Sequence, residues 1–420
     1  MKKENLTIHL STVPAIDKTV YEVVERKGIG HPDTLCDTLA EKISQAYSQY
    51  CLAKYGIVLR HMVDKIALSG GSAMVKFGGG KMQKPIRLYL NCRFTRNYMK
   101  EDIPYLDIVK KVVYEHFGKV MPLLDLDEWL IIVDNTHFSQ GPGVVYDADG
   151  TSKNERQFFF EVPEKNFAAF HNNNMLSNDT STTVAYHPLS ATEQIVLMIE
   201  RFLNDDSFKK DHPYVGTDIK VMAKRTNNKL DITVCIPFIS KYTADQEFYF
   251  DKLNYLNGVI RKLVVDNYSQ FEVSIFLNTR DNPEKSDYYL TLTGSAIESG
   301  DEGVVGRGNR YNGVISFTRH MTLEACCGKN PVYHVGKLYA VICDQISNEI
   351  FSQTKLETYV YMTSQMGRSL ADPWSVYVEV CSEELYFWQE ALIKEIIDQN
   401  LAKTNETALK IVEGEINLFL

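Results

Sequence analysis

No stretch of the chain approaches the roughly 18 consecutive apolar residues of a membrane-spanning helix. Residues 1–12 lack the apolar run of a secretory signal, so a cytoplasmic location is expected. The eight cysteines show no CxxC spacing, which leaves no common zinc pattern and no disulfide framework. Cys36, Cys51, Cys92, Cys235, Cys326, Cys327, Cys343 and Cys381 are expected to be mostly reduced core residues, the adjacent Cys326 and Cys327 included. Basic charge is also scarce. Lys and Arg total 45 against 54 Asp and Glu, and the net charge of -9 argues against a general nucleic-acid binder. HExxH, a Walker A loop, the three-glycine dinucleotide fingerprint and a defensible Ser-His-acid order are all missing. What the chain does have is 420 residues, of which 44% are hydrophobic. That is enough for two or three subdomain cores and excludes a mostly disordered protein.

Strand and helix signals are mixed rather than strictly alternating, which favours an α+β fold over a doubly wound sheet. A strand is expected at 21–24 and a helix at 32–55, ending at Gly56, with Leu35, Leu39, Ile43 and Tyr47 on one face. Ser190-Ala191-Thr192-Glu193 is a capping box that opens a helix through 203. Strands at 219–223 and 230–236 flank an Asn227-Asn228 turn. Further helices are expected at 244–267, 335–352 and 383–399, and further strands at 86–92, 129–133, 272–277, 288–292, 359–362 and 375–380. Residues 147–163 read as a surface excursion and 171–174 as an irregular polar patch.

The densest chemistry lies at 25–37, Glu-Arg-Lys-Gly-Ile-Gly-His-Pro-Asp-Thr-Leu-Cys-Asp. Gly28 and Gly30 remove side chains where a ligand would meet the backbone. Pro32 suits the first helical position, and the free N–H groups there favour an anion. Asp33 at the same point makes sense if a cation accompanies that anion, and His31 adds a hydrogen-bond donor. Together they suggest a nucleotide polyphosphate with magnesium. The alternative is a plain strand-turn-helix junction with His31 as its cap.

The second feature is Gly303-Val304-Val305-Gly306-Arg307-Gly308-Asn309-Arg310, preceded by Asp301 and Glu302. Its glycines let backbone N–H groups face a ligand, and Arg307 and Arg310 can fork onto phosphate oxygens. Lys329, in Gly328-Lys329-Asn330-Pro331, can hold a terminal phosphate as a point charge, with His334 close behind. Asp218 and Lys220 open a strand whose period of two puts them on one face, where an exposed ion pair is the bland account. Asp64 is a weaker candidate. Phe77-Gly78-Gly79-Gly80 reads as a mobile loop able to act as a lid.

These motifs, with Asn178-Asp179-Thr180-Ser181, Asp218-Ile219-Lys220-Val221-Met222 and Leu292-Thr293-Gly294, resemble in their order those of S-adenosylmethionine synthetases of the archaeal type. The resemblance spans most of the chain, roughly 22–380. It implies three similar subdomains of mixed sheet and helices around a pseudo-threefold axis, interleaved in sequence within a single unit over 1–420. It implies a reaction of ATP with methionine, assisted by Mg2+ and K+, in a homodimer whose active sites lie between subunits. Pairing of dimers into tetramers is left open, and neither nucleic acid nor membrane is implied.

By the same resemblance, His31 steadies the leaving oxygen and Asp33 binds magnesium. Lys220, Arg307 and Lys329 hold the triphosphate, Asp218 lies near the ribose, and Asp179 and Asp301 position methionine. Glu25, Gly30 and His334 fall on the nucleotide side, as do Gln140 and Gly141, while Asp64 is a methionine or potassium position. Two departures stand out. The stretch at 139–144 lacks the acid the family often carries there, and Thr182-Thr183 replaces an aromatic-glycine pair. Two other readings remain: a triphosphatase or kinase-like enzyme that ignores methionine, and a non-catalytic nucleotide-binding subunit. The latter would be expected to have lost charged residues that this chain keeps.

Overall fold

The computed structural model describes residues 5–138, 148 and 175–418. Gln140, Gly141, the polar patch at 171–174 and all of the 147–163 excursion except residue 148 therefore lie outside the described residues.

Three mixed sheets organise the chain. The central sheet runs Glu272–Leu277, Lys229–Cys235, Lys220–Thr226, Tyr21–Lys27, Ile315–Ser316. The second runs Leu6–Leu10, Ser375–Val380, Thr358–Thr363, Thr182–His187, and the third Leu130–Asp134, Ile86–Leu90, Ile66–Ser69, Gly303–Val304. In each, the first pair is parallel and the following pairs are antiparallel. Each sheet also lays one face on helices, as its strand patterns dictate. In Lys229–Cys235, for example, Leu230, Ile232 and Val234 alternate inward.

The helices pass between units. Tyr21–Lys27 belongs to the central sheet, but the helix that follows it, Pro32–Tyr55, backs the third sheet. Thr182–His187 belongs to the second sheet, and its following helix Ala191–Asn204 backs the central one. Gly303–Val304 belongs to the third, and the next long helix, Val335–Thr354, backs the second. The connections are thus cyclic, and the α+β expectation holds.

Local chemistry sets the helix ends. Pro32–Tyr55 opens with His31 as cap and Pro32 at its first position, and stops at Gly56 in the left-handed region at φ 71°. Its Leu35, Leu39, Ile43 and Tyr47 are fully buried, each worth about 1.5–3 kcal/mol. The Ser190–Glu193 capping box is present. Three expectations need correction. The strand at 288–292 shrinks to Leu290–Thr291. Among the described residues four α-helices were not foreseen, the longer Tyr105–Val120 and Thr404–Glu413 and the short Leu126–Trp129 and Asp206–Asp211. Phe77–Gly80 is not a free lid. It turns a hairpin, Ser72–Lys76 with Gly79–Lys84, whose Gly78 N–H donates to the Ser240 and Thr243 carbonyls at 3.0 and 2.9 Å. The Phe77 ring packs on Tyr288 with centroids 5.2 Å apart.

Candidate active site

An open cleft of about 570 Å³ lies at one end of the central sheet, lined by His31, Asp218, Lys220, Asn278, Asp281, Tyr289 and Asp301 among others. The segments that carry His31 and Asp218 into it are joined by close backbone approach. The N–H of Gly28 donates to Ile219 O at 2.6 Å and that of Gly30 to Thr217 O at 3.1 Å. A Cβ on Gly28 would sit 2.5 Å from Ile219 O, and one on Gly30 2.2 Å from Thr217 Oγ1. The space these glycines open is therefore filled by the chain itself, which corrects the expectation that a ligand enters there, Gly30 included.

His31 is the cap of the Pro32–Tyr55 helix: its Nδ1 accepts the Asp33 N–H at 3.1 Å. Burial, working against the pull of Asp218, lowers its pKa. The ring is then neutral, and with Nδ1 accepting, the proton sits on Nε2, which makes that nitrogen a donor. Asp218 is buried. Its Oδ2 accepts from Ala296 N at 3.0 Å and from the Tyr289 hydroxyl at 3.4 Å. Burial raises its carboxyl, while nearby His31 pulls the other way. Asp218 and Lys220 do not form the ion pair the strand period suggested. The strand begins only at Lys220, whose Nζ lies 3.3 Å from Glu25 Oε1 on the neighbouring strand.

Asp33 locks the second glycine-rich segment beside the cleft. Its Oδ1 accepts Val304 N at 3.1 Å, and its Oδ2 accepts Lys27 Nζ at 2.8 Å. One turn on, Asp37 Oδ1 accepts Gly306 N at 2.8 Å. Two acids on one helix face thus hold alternate N–H groups of the loop, those of Val304 and Gly306. Arg307 is exposed, and its guanidinium makes no hydrogen bond to described residues.

Other expected residues sit elsewhere in the chain. Lys329 is buried, with its Nζ 2.7 Å from both Asp64 Oδ2 and Glu324 Oε1. Burial pushes the Asp64 carboxyl up, but the Lys329 charge overrules it and the net shift is downward. His334 caps the Val335–Thr354 helix by accepting Gly336 N at 3.1 Å. Burial lowers it to about 3, so the ring is neutral and carries no charge toward a phosphate. Asp179 occupies a turn in which its Oδ1 accepts Thr180 N at 2.8 Å and its carbonyl accepts the Ser364 hydroxyl at 2.8 Å. Asp64, Asp179, Lys329 and His334 therefore do not join the cleft of their own chain.

Sequence reasoning missed Asn278, Arg280, Asp281 and Tyr289 in the cleft wall. The available signal was position, since Leu277 ends a parallel strand and loops after such ends are where open sheets receive ligands. The roles of Lys27 and Asp37 were also missed, although both fall in the stretch singled out.

Among the described residues no group of three or more His, Cys, Asp or Glu could hold a metal ion. A magnesium ion needs less when it arrives with phosphate oxygens, since one or two carboxylates then suffice. Asp33 fits that need, because each of its oxygens accepts a single hydrogen bond and keeps a lone pair.

The sequence profile of the S-adenosylmethionine synthetase (AdoMet synthetase) family matches residues 4–155 and 161–415. A probable S-adenosylmethionine synthase of Aquifex aeolicus is 37% identical over 414 residues, covering 98% of this chain and 99% of that one. The S-adenosylmethionine synthase of Methanocaldococcus jannaschii is 37% identical over 424 residues, covering 99% and 100%. That of Pyrococcus furiosus is 34% identical over 420 residues, covering 99% of each. Among solved structures, an unusual S-adenosylmethionine synthetase from Campylobacter jejuni aligns with a TM-score of 0.58 at 13% identity, over 93% of this chain and 88% of that one. This last likeness is one of fold.

Proposed function

The chain belongs to the S-adenosylmethionine synthetase family, and on that premise we propose that it converts ATP, L-methionine and water to S-adenosylmethionine, phosphate and diphosphate. It is a methionine adenosyltransferase. The observation that carries the reading is the convergence of His31, Asp218, Lys220 and Asp301 on one cleft, with Asp33 and the Arg307 loop fastened beside it.

The chemistry suits this set of groups. The methionine sulfur attacks C5′, the S–C5′ bond forms, and the C5′–O5′ bond breaks with its electron pair leaving on triphosphate. A thioether has no proton to lose, so this step needs no general base. The cleft correspondingly has no Ser-His or Cys-His hydrogen bond among the described residues; His31 spends its Nδ1 on the helix cap. Alignment of sulfur, C5′ and O5′ supplies about 7–11 kcal/mol in favourable cases. The rest is stabilisation of growing negative charge. His31 Nε2–H donates to the departing oxygen. Lys220 and Arg307 take the triphosphate, with Glu25 orienting Lys220. Asp218 faces the ribose, and Asp301 and Asp179 pair with the methionine ammonium. Magnesium held by Asp33 and the polyphosphate supplies further charge stabilisation when bound. Potassium is the monovalent cation.

Asp64, Asp179 and Lys329 enter this scheme from a second copy of the chain, in a homodimer whose sites lie between subunits. Half-exposed apolar side chains on the strands of two sheets, Ile131, Phe276 and Val304, support such a partner. No helix among the described residues is long and apolar enough to cross a membrane.

The test is incubation of the purified protein with ATP, magnesium, potassium and methionine, following three products. Equal yields of S-adenosylmethionine, phosphate and diphosphate are expected. Phosphate release without S-adenosylmethionine, and indifferent to methionine, would replace this reading with a triphosphatase. ATP binding without turnover would make the chain a non-catalytic subunit.

A further inference from the structure

Lys27 ends the Tyr21–Lys27 strand with its side chain 12% exposed. Its Nζ donates to Asp33 Oδ2 at 2.8 Å and to the Arg307 carbonyl at 2.7 Å. The backbone of Lys27 is held in return by the same loop. Its N–H donates to Asn309 Oδ1 at 2.9 Å, and its carbonyl accepts Asn309 Nδ2 at 2.7 Å. The Thr34 hydroxyl donates to that carbonyl as well, at 3.2 Å. Strand end, helix start and the Arg307 loop therefore meet at one lysine.

We propose that Lys27 is a positioning residue for the polyphosphate: its ammonium group ties the Asp33 carboxylate to the Arg307 loop and sets both for a magnesium-bound triphosphate. The proposal rests on the reading of the site given above. An ammonium has three donors, and two are used here, which leaves one for a further acceptor. Its charge also offsets the Asp33 carboxylate, which would otherwise repel an incoming polyanion. A carboxylate hydrogen-bonded on both oxygens is fixed in orientation, as an open coordination position requires. Ordinary fold stabilisation accounts for an ion pair, but not for the second bond to the backbone of the residue preceding Gly308. That bond fixes the point from which the exposed Arg307 side chain departs.

The experiment measures binding by calorimetry, without methionine, of two probes: magnesium with inorganic tripolyphosphate, and adenosine. Lys27→Met should bind magnesium tripolyphosphate about tenfold more weakly, as loss of a hydrogen bond to a charged group predicts, and adenosine as the wild type does. Lys27→Gln keeps a donor for the Arg307 carbonyl but no charge, and should show the same selective loss. Should Lys27→Met fail to fold, Lys27→Gln carries the test. Lys27→Arg should restore part of the affinity. Magnesium activation of turnover should move to higher magnesium in Lys27→Met and Lys27→Gln. Equal weakening of both probes, or unchanged tripolyphosphate binding, would overturn the proposal. A wild-type protein that binds no magnesium tripolyphosphate would overturn it together with the reading it rests on.

Discussion

Asp37 is fixed by its place one helical turn beyond Asp33, where it is buried and accepts a hydrogen bond from Gly306 N–H. Burial, the largest influence, pushes its carboxyl up from 3.8 to about 7, although the Gly306 N–H bond pulls the other way. The folded chain therefore holds a proton that the unfolded chain releases at lower pH. Stability from this group is full below the unfolded value and is lost as pH rises through the folded value of about 7. Asp37→Asn keeps an acceptor for Gly306 and never ionises. Its stability relative to wild type should grow between about pH 4 and 7 and stay level above, in melting temperatures taken across that range. A difference independent of pH would show that Asp37 is ionised in the fold. The same residue marks the limit of what sequence reveals. His31, Asp33 and the Arg307 segment were legible because Gly, Pro and charge crowd together there. The environment that shifts Asp37 comes from residues about 270 positions away, and no local pattern encodes that distance.

At the scale of elements, legibility followed local chemistry. The Pro32–Tyr55 helix declared both ends through Pro32 and Gly56, and Ala191–Asn204 declared its start through its capping box. Tyr105–Val120 was missed although Val109, Val113 and Phe117 recur at four-residue steps on its buried side; it follows Pro104 and has no side-chain cap. The Gly78–Gly80 turn looked mobile because glycine was the only local signal, whereas Ser240, Thr243 and Tyr288 pin it from the neighbouring unit. The glycine-rich loop behaves in the same way. A Cβ on Gly303 would lie 2.2 Å from the Pro32 carbonyl oxygen and 2.8 Å from Asp33 N. Both neighbours are backbone at the start of a helix, so no side chain can swing aside. Gly303→Ala should force the loop off the helix, cost about 1–3 kcal/mol of stability, and lower the rate of S-adenosylmethionine formation more than that loss explains. A variant that melts lower but turns over as wild type at 25 °C would separate the loop from catalysis.

At the scale of the molecule, the three helices Pro32–Tyr55, Ala191–Asn204 and Val335–Thr354 each leave the sheet before them and back another, whereas Gln246–Asn267 stays on the central sheet. Local signals gave strands such as Lys220–Thr226 and Thr358–Thr363 and the five helices named from sequence, but missed Leu6–Leu10, Ile66–Ser69 and Thr182–His187 and could not group the elements, since three of those helices cover a sheet other than the one they follow. The same separation divides the charged residues into a cleft set with Asp218, Lys220 and Asp301, and a remote set with Asp64, Asp179 and Lys329. A single chain leaves the remote set unused in the proposed reaction, whereas two chains facing each other use both. This gives a decisive mixing experiment. Arg307→Leu and Asp179→Asn both alter residues that are not buried, so each variant should fold and each alone should be nearly inactive. Co-expressed under different tags and purified through both, the two variants would be recovered together as mixed copies of the proposed dimer. If Arg307 of one copy and Asp179 of the other serve the same site, one site per mixed dimer carries both changes and the other carries none, so activity returns. If both residues serve a site within one chain, every site carries one change and the mixed dimers stay as inactive as their parents. Recovery of activity in the doubly tagged fraction is the expected result, and its absence would return the whole reaction, Asp179 included, to a single chain.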